Sequence, residues 1–374
     1  MGVGTPASGR SIGPPRLTLG FALRRLVVSP DRPRRVYVTG AGFTRAFVAR
    51  APLLVGDFEN DRLVDAVRSL PAASRVLEAE RNRHPDGFID IERLMTRLHE
   101  LMPYDHRHGS ADQFAFLLAE LKDAFLRTIQ HALDGVEIKP QSDLLAFARH
   151  CADASATCIT FNYDDLLDAA LSAAGNWNPY WGYGFFCQPS ANTVSTFSQG
   201  PHASDQLLLK LHGSVNWWPR LGYAKPFALD AIVHHHGWEG ISRRLFPLDV
   251  VARHLEPEPV IVPPVLSKSD LVAQPVLRLV WSLAYEHLST AEGVTFVGYS
   301  FPATDTAARV LFAEALADLP ADAVTVIGLE TDEFGAEALK TRYRDVLGAI
   351  PDESFFLGGA LDWVQRLPAP DPEP

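Results

Sequence analysis

Four short apolar runs each stop on glycine or polar residues. Val36 to Thr39 runs into Gly40-Ala41-Gly42, Thr157 to Phe161 into Asn162-Tyr163-Asp164, Leu207 to Leu211 into His212-Gly213-Ser214, and Val294 to Val297 into Gly298-Tyr299-Ser300. Apolar residues at successive rather than alternate positions suit strands buried on both faces. Val324 to Leu329 and Ser354 to Leu357 extend the series. The carboxyl ends of parallel strands form the crevice in which open α/β sheets hold ligands, so the four tips are expected along one edge.

Between these runs the period becomes that of amphipathic helices. Ile91, Leu94, Met95, Leu98, Leu101 and Met102 fall three and four apart, as do Phe114, Leu117, Leu118, Leu121 and Phe125, and each series predicts a helix with one face in a core. Nothing between Asp57 and about His150 reads as strand, so residues 58–150 are expected to be an all-helical insertion. Other helices are expected after Asp165, with Leu166, Leu167, Ala170 and Leu171 on one face, and over Leu271 to Ser289, Asp305 to Ala317, Phe334 to Tyr343 and a last stretch ending at Arg366. Alternating strands and helices predict an α/β fold, a mainly parallel sheet flanked by helices. The expected domains are a basic arm (1–34), the sheet domain (35–57 with 151–367), the insertion (58–150) and a short tail (368–374).

The tips carry the chemistry. Gly40 and Gly42 permit a tight turn and close backbone approach, and the helix that follows with Phe43 and Thr44 presents N–H groups suited to a phosphate. Asp164 or Asp165 suits a helix cap, which leaves Asn162 over for another task. His212 supplies a base that titrates near neutrality, and Gly298 and Ser300 offer N–H and hydroxyl groups to a phosphate or a sugar. The aromatics of residues 175–206, among them Trp177, Tyr180, Trp181, Tyr183, Phe185 and Phe186, read as a long ordered loop walling a pocket. His234-His235-His236 reads as surface loop, because adjacent side chains cannot converge on one ion; His106 and His108 fall in a polar turn.

Composition narrows the field. At 374 residues the chain can bury a sizeable interior, and its 47% hydrophobic and 21% charged content is ordinary for a globular enzyme. No run of about 18 apolar residues offers a membrane span, and Met1 to Pro15 lacks the apolar core of an export signal, so a cytoplasmic location is expected. Cys151, Cys158 and Cys187 form no C-x-x-C pair, which points away from a zinc ribbon and a disulfide framework. Residues 1–35 hold seven arginines and one aspartate, a charge of +6 in a chain whose total is −11. A solvated arm is the expected form of this segment, with contact to nucleic acid or an acidic partner as the alternative.

Taken in order, Gly40-Ala41-Gly42-Phe43-Thr44, Thr160-Phe161-Asn162-Tyr163-Asp164, Lys210-Leu211-His212-Gly213-Ser214 and Gly298-Tyr299-Ser300-Phe301-Pro302-x-x-Asp305 resemble the sirtuin-like superfamily. They are most similar to the bacterial sirtuin-like NAD hydrolases of anti-phage defence. The resemblance implies a Rossmann-like sheet with NAD as substrate and no metal. It makes His212 the catalytic histidine, Asn162 the asparagine that holds the nicotinamide ribose and the attacking water, and Asp164 its supporting carboxylate. Gly40, Ala41, Gly42, Phe43 and Thr44 match the phosphate loop; Gly298, Ser300 and Asp305 match the second nucleotide-binding turn. Glu330, after the fifth strand, is expected to meet the adenosine ribose hydroxyls.

Deacylating sirtuins carry a four-cysteine zinc ribbon and a peptide cleft, and neither is legible here. The expected activity is therefore NAD(+) hydrolysis to nicotinamide and ADP-ribose by the toxic effector of a defence system that acts through abortive infection. The alternatives are a sensor that binds NAD or ADP-ribose without cleaving it and an ADP-ribosyltransferase. The resemblance also implies a homo-oligomer and a separate phage-sensing subunit, a HerA-type ATPase or a short Argonaute. No membrane contact is expected, and nucleic-acid contact only indirectly or through the arm.

Overall fold

A computed structural model describes residues 34–53, 90–100, 102–103, 111–175, 177–189, 206–219, 259–266 and 274–368, with residues 76, 78–80, 82–83, 232–234, 237–239, 242–244 and 268 in shorter pieces. The expectations for the arm at 1–33, for His106, His108, His235 and His236, and for 369–374 lie outside the described residues.

Six parallel strands form the main sheet: β1 (Arg35–Thr39), β2 (Thr157–Thr160), β3 (Leu208–Lys210), β4 (Gly293–Val297), β5 (Val324–Ile327) and β6 (Phe355–Phe356). Their order across the sheet is β6-β5-β4-β1-β2-β3. This is the Rossmann order, in which the chain leaves β1 in opposite directions for its two halves, and the ligand crevice lies at that reversal, between the carboxyl ends of β1 and β4.

Nine helices are described: α1 (Ala41–Phe47), α2 (Ile91–His99), α3 (Ala111–Leu133), α4 (Asp143–Asp153), α5 (Leu166–Ala174), α6 (Pro275–Ser289), α7 (Thr306–Ala315), α8 (Glu333–Leu347) and α9 (Ala360–Gln365). Both faces of the sheet are covered, as successive side chains of β1 show. Tyr37 meets Phe147 of α4 at 5.6 Å between ring centres. Its neighbour Val38 points the other way, in register with Phe296 of β4, which packs on Phe312 of α7 and Tyr343 of α8, each at 5.1 Å. Strands buried on both sides need apolar residues at every position, which explains the continuous runs.

Three differences from the sequence reading have physical causes. Helix α2 stops at His99, where the Glu100 N–H donates to the Thr96 carbonyl, short of the expected Met102. Helix α3 extends on both sides of the Phe114 to Phe125 stripe. The stretch from Trp217 to Pro264 holds strands as well as loop: Ile232–His234 pairs with Gln188–Pro189 and Trp217–Pro219, and Gly237–Glu239 pairs with Ser242–Arg244. His234 therefore ends a strand, held by a backbone ladder that its own sequence does not announce. Helix α4, at the close of the helical region, packs against α5 and α9 and so lies in a layer covering the sheet.

Candidate active site

The site begins where the turns after β1 and β4 interlock. The Gly40 N–H donates to the Val297 carbonyl at 3.3 Å and the Gly42 N–H to the Gly298 carbonyl at 2.9 Å. A Cβ on Gly40 would stand 2.7 Å from Tyr299 Cα, and one on Gly298, whose φ is +62°, would stand 2.1 Å from the Phe43 nitrogen. Close approach of the two turns is thus the reason for the glycines. The N–H groups of Gly42 and Phe43 are engaged by Gly298 and Gly40, so the two amides are used within the turns themselves. Gly298→Ala is expected to lower stability by more than about 3 kcal/mol, since a left-handed backbone costs roughly 1–3 and the backbone collision adds to it. Thermal unfolding reads the loss, and an unchanged midpoint contradicts this account of the turn.

A directed hydrogen-bond relay fixes Asn162 to the first turn. Asn162 Nδ2 donates to the Gly40 carbonyl at 2.9 Å and to Thr44 Oγ1 at 3.0 Å, and Thr44 Oγ1 donates onward to Asp164 Oδ2 at 2.8 Å. The other Asp164 oxygen accepts from the Leu166 N–H at 3.0 Å, so Asp164 anchors the start of α5. Burial pushes its carboxyl up from the usual range, opposed chiefly by the nearby charge of Lys210. Both oxygens are committed to the scaffold, which places Asp164 as support for Thr44 and, through it, for Asn162. Among the described residues no hydrogen bond engages Asn162 Oδ1.

Beneath this turn runs a buried network. Lys210 lies at the end of β3, fully buried, and its Nζ donates to the Asp164 carbonyl and, at 2.8 Å, to Asp168 Oδ2. Asp168, in the first turn of α5, also accepts from the Tyr183 hydroxyl and from Asn216 Nδ2. Lys210 thereby joins the asparagine turn to the strand that carries the histidine.

His212 follows as the chain leaves β3. Gly213 takes a φ of +76° and would put a Cβ 2.0 Å from the Val260 carbonyl, so the segment at Val260 to Val262 packs directly on this turn. The Val262 N–H donates to the His212 carbonyl at 2.9 Å. The imidazole meets Phe161 edge-on at 5.2 Å and stacks on Tyr163 at 5.9 Å, so the two residues that flank Asn162 both grip the ring. Its Nε2 lies 3.5 Å from Asp305 Oδ2 and makes no hydrogen bond in the described protein. Asp305 Oδ1 and the Tyr299 hydroxyl are likewise buried and make no hydrogen bond of ordinary geometry among the described residues, although the two side chains lie close enough for Asp305 to add to burial in pushing the phenol up. Buried polar atoms are costly to leave unmade, so three together mark a place for ligand or water.

Burial, and next the charge of Lys268, push the His212 pKa down to about 3, opposed by Asp305 and by hydrogen bonding at the Phe161 backbone. The ring is therefore neutral at pH 7, and burial takes its titration well below the near-neutral range expected from the residue type alone. An unfolded imidazole titrates near 6.5 and takes up its proton first as pH falls. Stability tied to this group is complete above about pH 6.5 and declines below it, down towards the folded value, by at most about 1.4 kcal/mol per pH unit. Urea unfolding at two pH values measures this, with His212→Asn expected to lose less than the parent on acidification; equal losses contradict the assignment.

The remaining candidates flank the crevice. Ser300 is exposed, and its carbonyl accepts from Arg342 Nε at 2.8 Å. Glu330 is partly buried beyond β5, where its N–H donates to the Leu357 carbonyl. Asp305 precedes α7 and its carbonyl accepts from the Arg309 N–H at 3.0 Å, but its side chain does not cap the helix and turns instead to His212. Lys210, Asp168, Glu92 and Lys268 escaped the sequence reading. A lone lysine in the apolar run Leu207 to Leu211 was the available signal for the first, and Asp168, four residues after Asp164 on the buried face of α5, for the second. Among the described residues no group of three or more His, Cys, Asp or Glu is placed to hold a metal ion, and none of the helices is long and apolar enough to cross a membrane.

No curated protein matches the chain by sequence. Similar solved structures include a Sir2 homologue variant in complex with ADP-ribose, 14% identical over 89% of each chain with a TM-score of 0.42. A Sir2 homologue triple variant with 2′-O-acetyl-ADP-ribose is 13% identical over 93% of each chain, TM-score 0.45. A Sir2 enzyme with a p53 peptide and NAD+ is 11% identical over 90% of this chain and 92% of that one, TM-score 0.40. By sequence, residues 156–235 match the family model of the SIR2-like domain, and this is the segment that supplies Asn162, Asp164, Lys210 and His212.

Proposed function

We propose that the chain is a sirtuin-like NAD+ hydrolase that releases nicotinamide and ADP-ribose and serves as the toxic effector of an anti-phage defence system. The observation that carries the reading is the gathering of Asn162, His212 and Asp305 beside the interlocked glycine turns at the reversal of the sheet. Cleavage passes through an oxocarbenium-like transition state and asks for a positioned water, a base and a held ribose. Water adds at the anomeric carbon, the bond to the ring nitrogen breaks with its electron pair going to nicotinamide, and the water gives up a proton. Neutral His212, its Nε2 without a protein hydrogen bond, takes that proton, and Asp305 beside it favours the imidazolium that results. Asn162 has its Nδ2 held by Gly40 and Thr44, which fixes the amide plane and leaves Oδ1 to orient ribose or water.

Gly298, Ser300 and Glu330 lie along the same edge, suited to the remainder of a dinucleotide. Cys151, Cys158 and Cys187 are each buried within the fold, which supports hydrolysis over the deacylation carried out with a zinc ribbon. A homo-oligomer with a HerA-type ATPase or a short Argonaute as sensing partner remains part of the proposal. Cells that carry the chain with its genomic neighbour test the defence role. On infection, NAD+ is expected to collapse with the wild type and to hold with His212→Ala; equal NAD+ in the two strains contradicts it.

A further inference from the structure

Three charged groups from three separate segments, Lys268, Asp305 and Glu92, meet behind the imidazole. Lys268, buried, places its Nζ 3.7 Å from Asp305 Oδ2 and 3.7 Å from Glu92 Oε1. Asp305 Oδ2 is in turn the oxygen 3.5 Å from His212 Nε2. Glu92 belongs to the first turn of α2, in the helical region, and a second bond holds the same helix to the same place. The Leu266 N–H donates to Thr96 Oγ1 at 2.8 Å, one helical turn beyond Glu92. The stretch from Val260 to Lys268 is therefore fastened to His212 at one end and to α2 at the other. Helix α3 joins in, since Phe125 meets Tyr163 edge-on at 5.2 Å and Tyr163 stacks on the imidazole.

Burying an ammonium between two carboxylates is costly, and apolar residues of similar volume commonly fill such a place without loss of stability. A role in the site is the better account of it. We infer that Lys268 is a positioning residue of the hydrolase proposed above, seating Asp305 against the Nε2 side of His212 and fixing that seat to the helical insertion through Glu92. The geometry stands apart from the hydrolase reading; only the consequence for turnover rests on it.

The groups around the imidazole are Asp305 before Nε2, Lys268 and Glu92 behind Asp305, the ring of Tyr163 and the Phe161 backbone, while the Tyr299 phenol bears on Asp305. Glu92 and Asp305 both bear on Tyr163, whose phenol is pushed up first by burial and then by these two charges. Lys268 is the cation of this set. Taking it away leaves Asp305 unopposed and favours the imidazolium.

Imidazole NMR of isotope-labelled protein, with the His212 signals assigned by their loss in His212→Asn, tests this without turnover. Failure of the hydrolase reading and failure of this inference are then separate results. Lys268→Met is expected to move the His212 titration upward by about 1–3 pH units, as removal of one adjacent charge does, and Lys268→Arg to hold it near the wild-type position. An unmoved titration in folded Lys268→Met overturns the inference. Should that variant not fold by circular dichroism, Glu92→Gln decides the matter. Its His212 ring resonances at pH 7 are expected to shift while Glu100→Gln, at the end of the same helix, leaves them in place; resonances unmoved by Glu92→Gln overturn the inference.

Discussion

His212→Ala is expected to lower kcat/KM for nicotinamide release from NAD+ by about 10²–10⁴-fold, the usual worth of a positioned base. On the proposed mechanism the loss should fall mainly on kcat, because there the imidazole takes a proton that moves only in the transition state, while binding is assigned to the turns at Gly40 to Gly42 and Gly298 to Ser300. Folding is not expected to fail. The ring is held by two aromatic contacts and a carbonyl-bonded backbone rather than by an ion pair of its own, so removing it leaves a cavity among Phe161, Tyr163 and Asp305. Steady-state kinetics on the two proteins, activated alike, measures the effect. A change smaller than about tenfold would take the proton-transfer role away from His212.

Lys210→Met is the substitution expected to cost most in stability, about 3–5 kcal/mol, because it leaves the fully buried Asp168 carboxylate without its cation. The effect should reach the site, since the same ammonium holds the Asp164 carbonyl and so the turn that carries Asn162. Adding Asp168→Asn to Lys210→Met should recover part of the loss, because the amide carries no charge and can still accept from the Tyr183 hydroxyl. Urea unfolding of the two variants against the parent reads both numbers. A single-variant loss under about 1 kcal/mol contradicts the network, and so does a double variant no more stable than the single.

The parts of this fold that read directly from sequence are those whose cause is local. A strand buried on both faces must be apolar throughout, and each such run ends where the chain must turn, so β1, β2, β3 and β4 and their tips were legible, as were the stripes of α2 and α3. The interlock of Gly40, Gly42 and Gly298 gave the glycines a reason that periodicity could suggest but not locate. What stayed hidden was fixed by contacts distant along the chain. Glu92 and Asp305 are separated by more than half the polypeptide and meet through Lys268, which sits in a stretch with no helical or strand period. Asp168 looks like one more polar residue on an amphipathic helix until Lys210 is brought against it. The short strand Ile232–His234 depends on partners at Gln188–Pro189 and Trp217–Pro219, and no pattern of its own distinguishes it from loop.

Asp164 shows how role and position can be read separately. Its place at the end of β2 followed from the sequence, and a cap for α5 was one of the two tasks open to it. The structure gives it that task through Oδ1 and a second through Oδ2, which holds Thr44 and hence the asparagine amide.

The most direct measurement is chromatography of NAD+ incubated with purified protein, alone and together with its partner subunit, for wild type, Asn162→Ala and His212→Ala. Equimolar nicotinamide and ADP-ribose from the wild type, with release abolished in both variants, is the predicted result. NAD+ bound tightly but recovered intact from the wild type under both conditions, or cleavage that survives in both variants, would contradict the account.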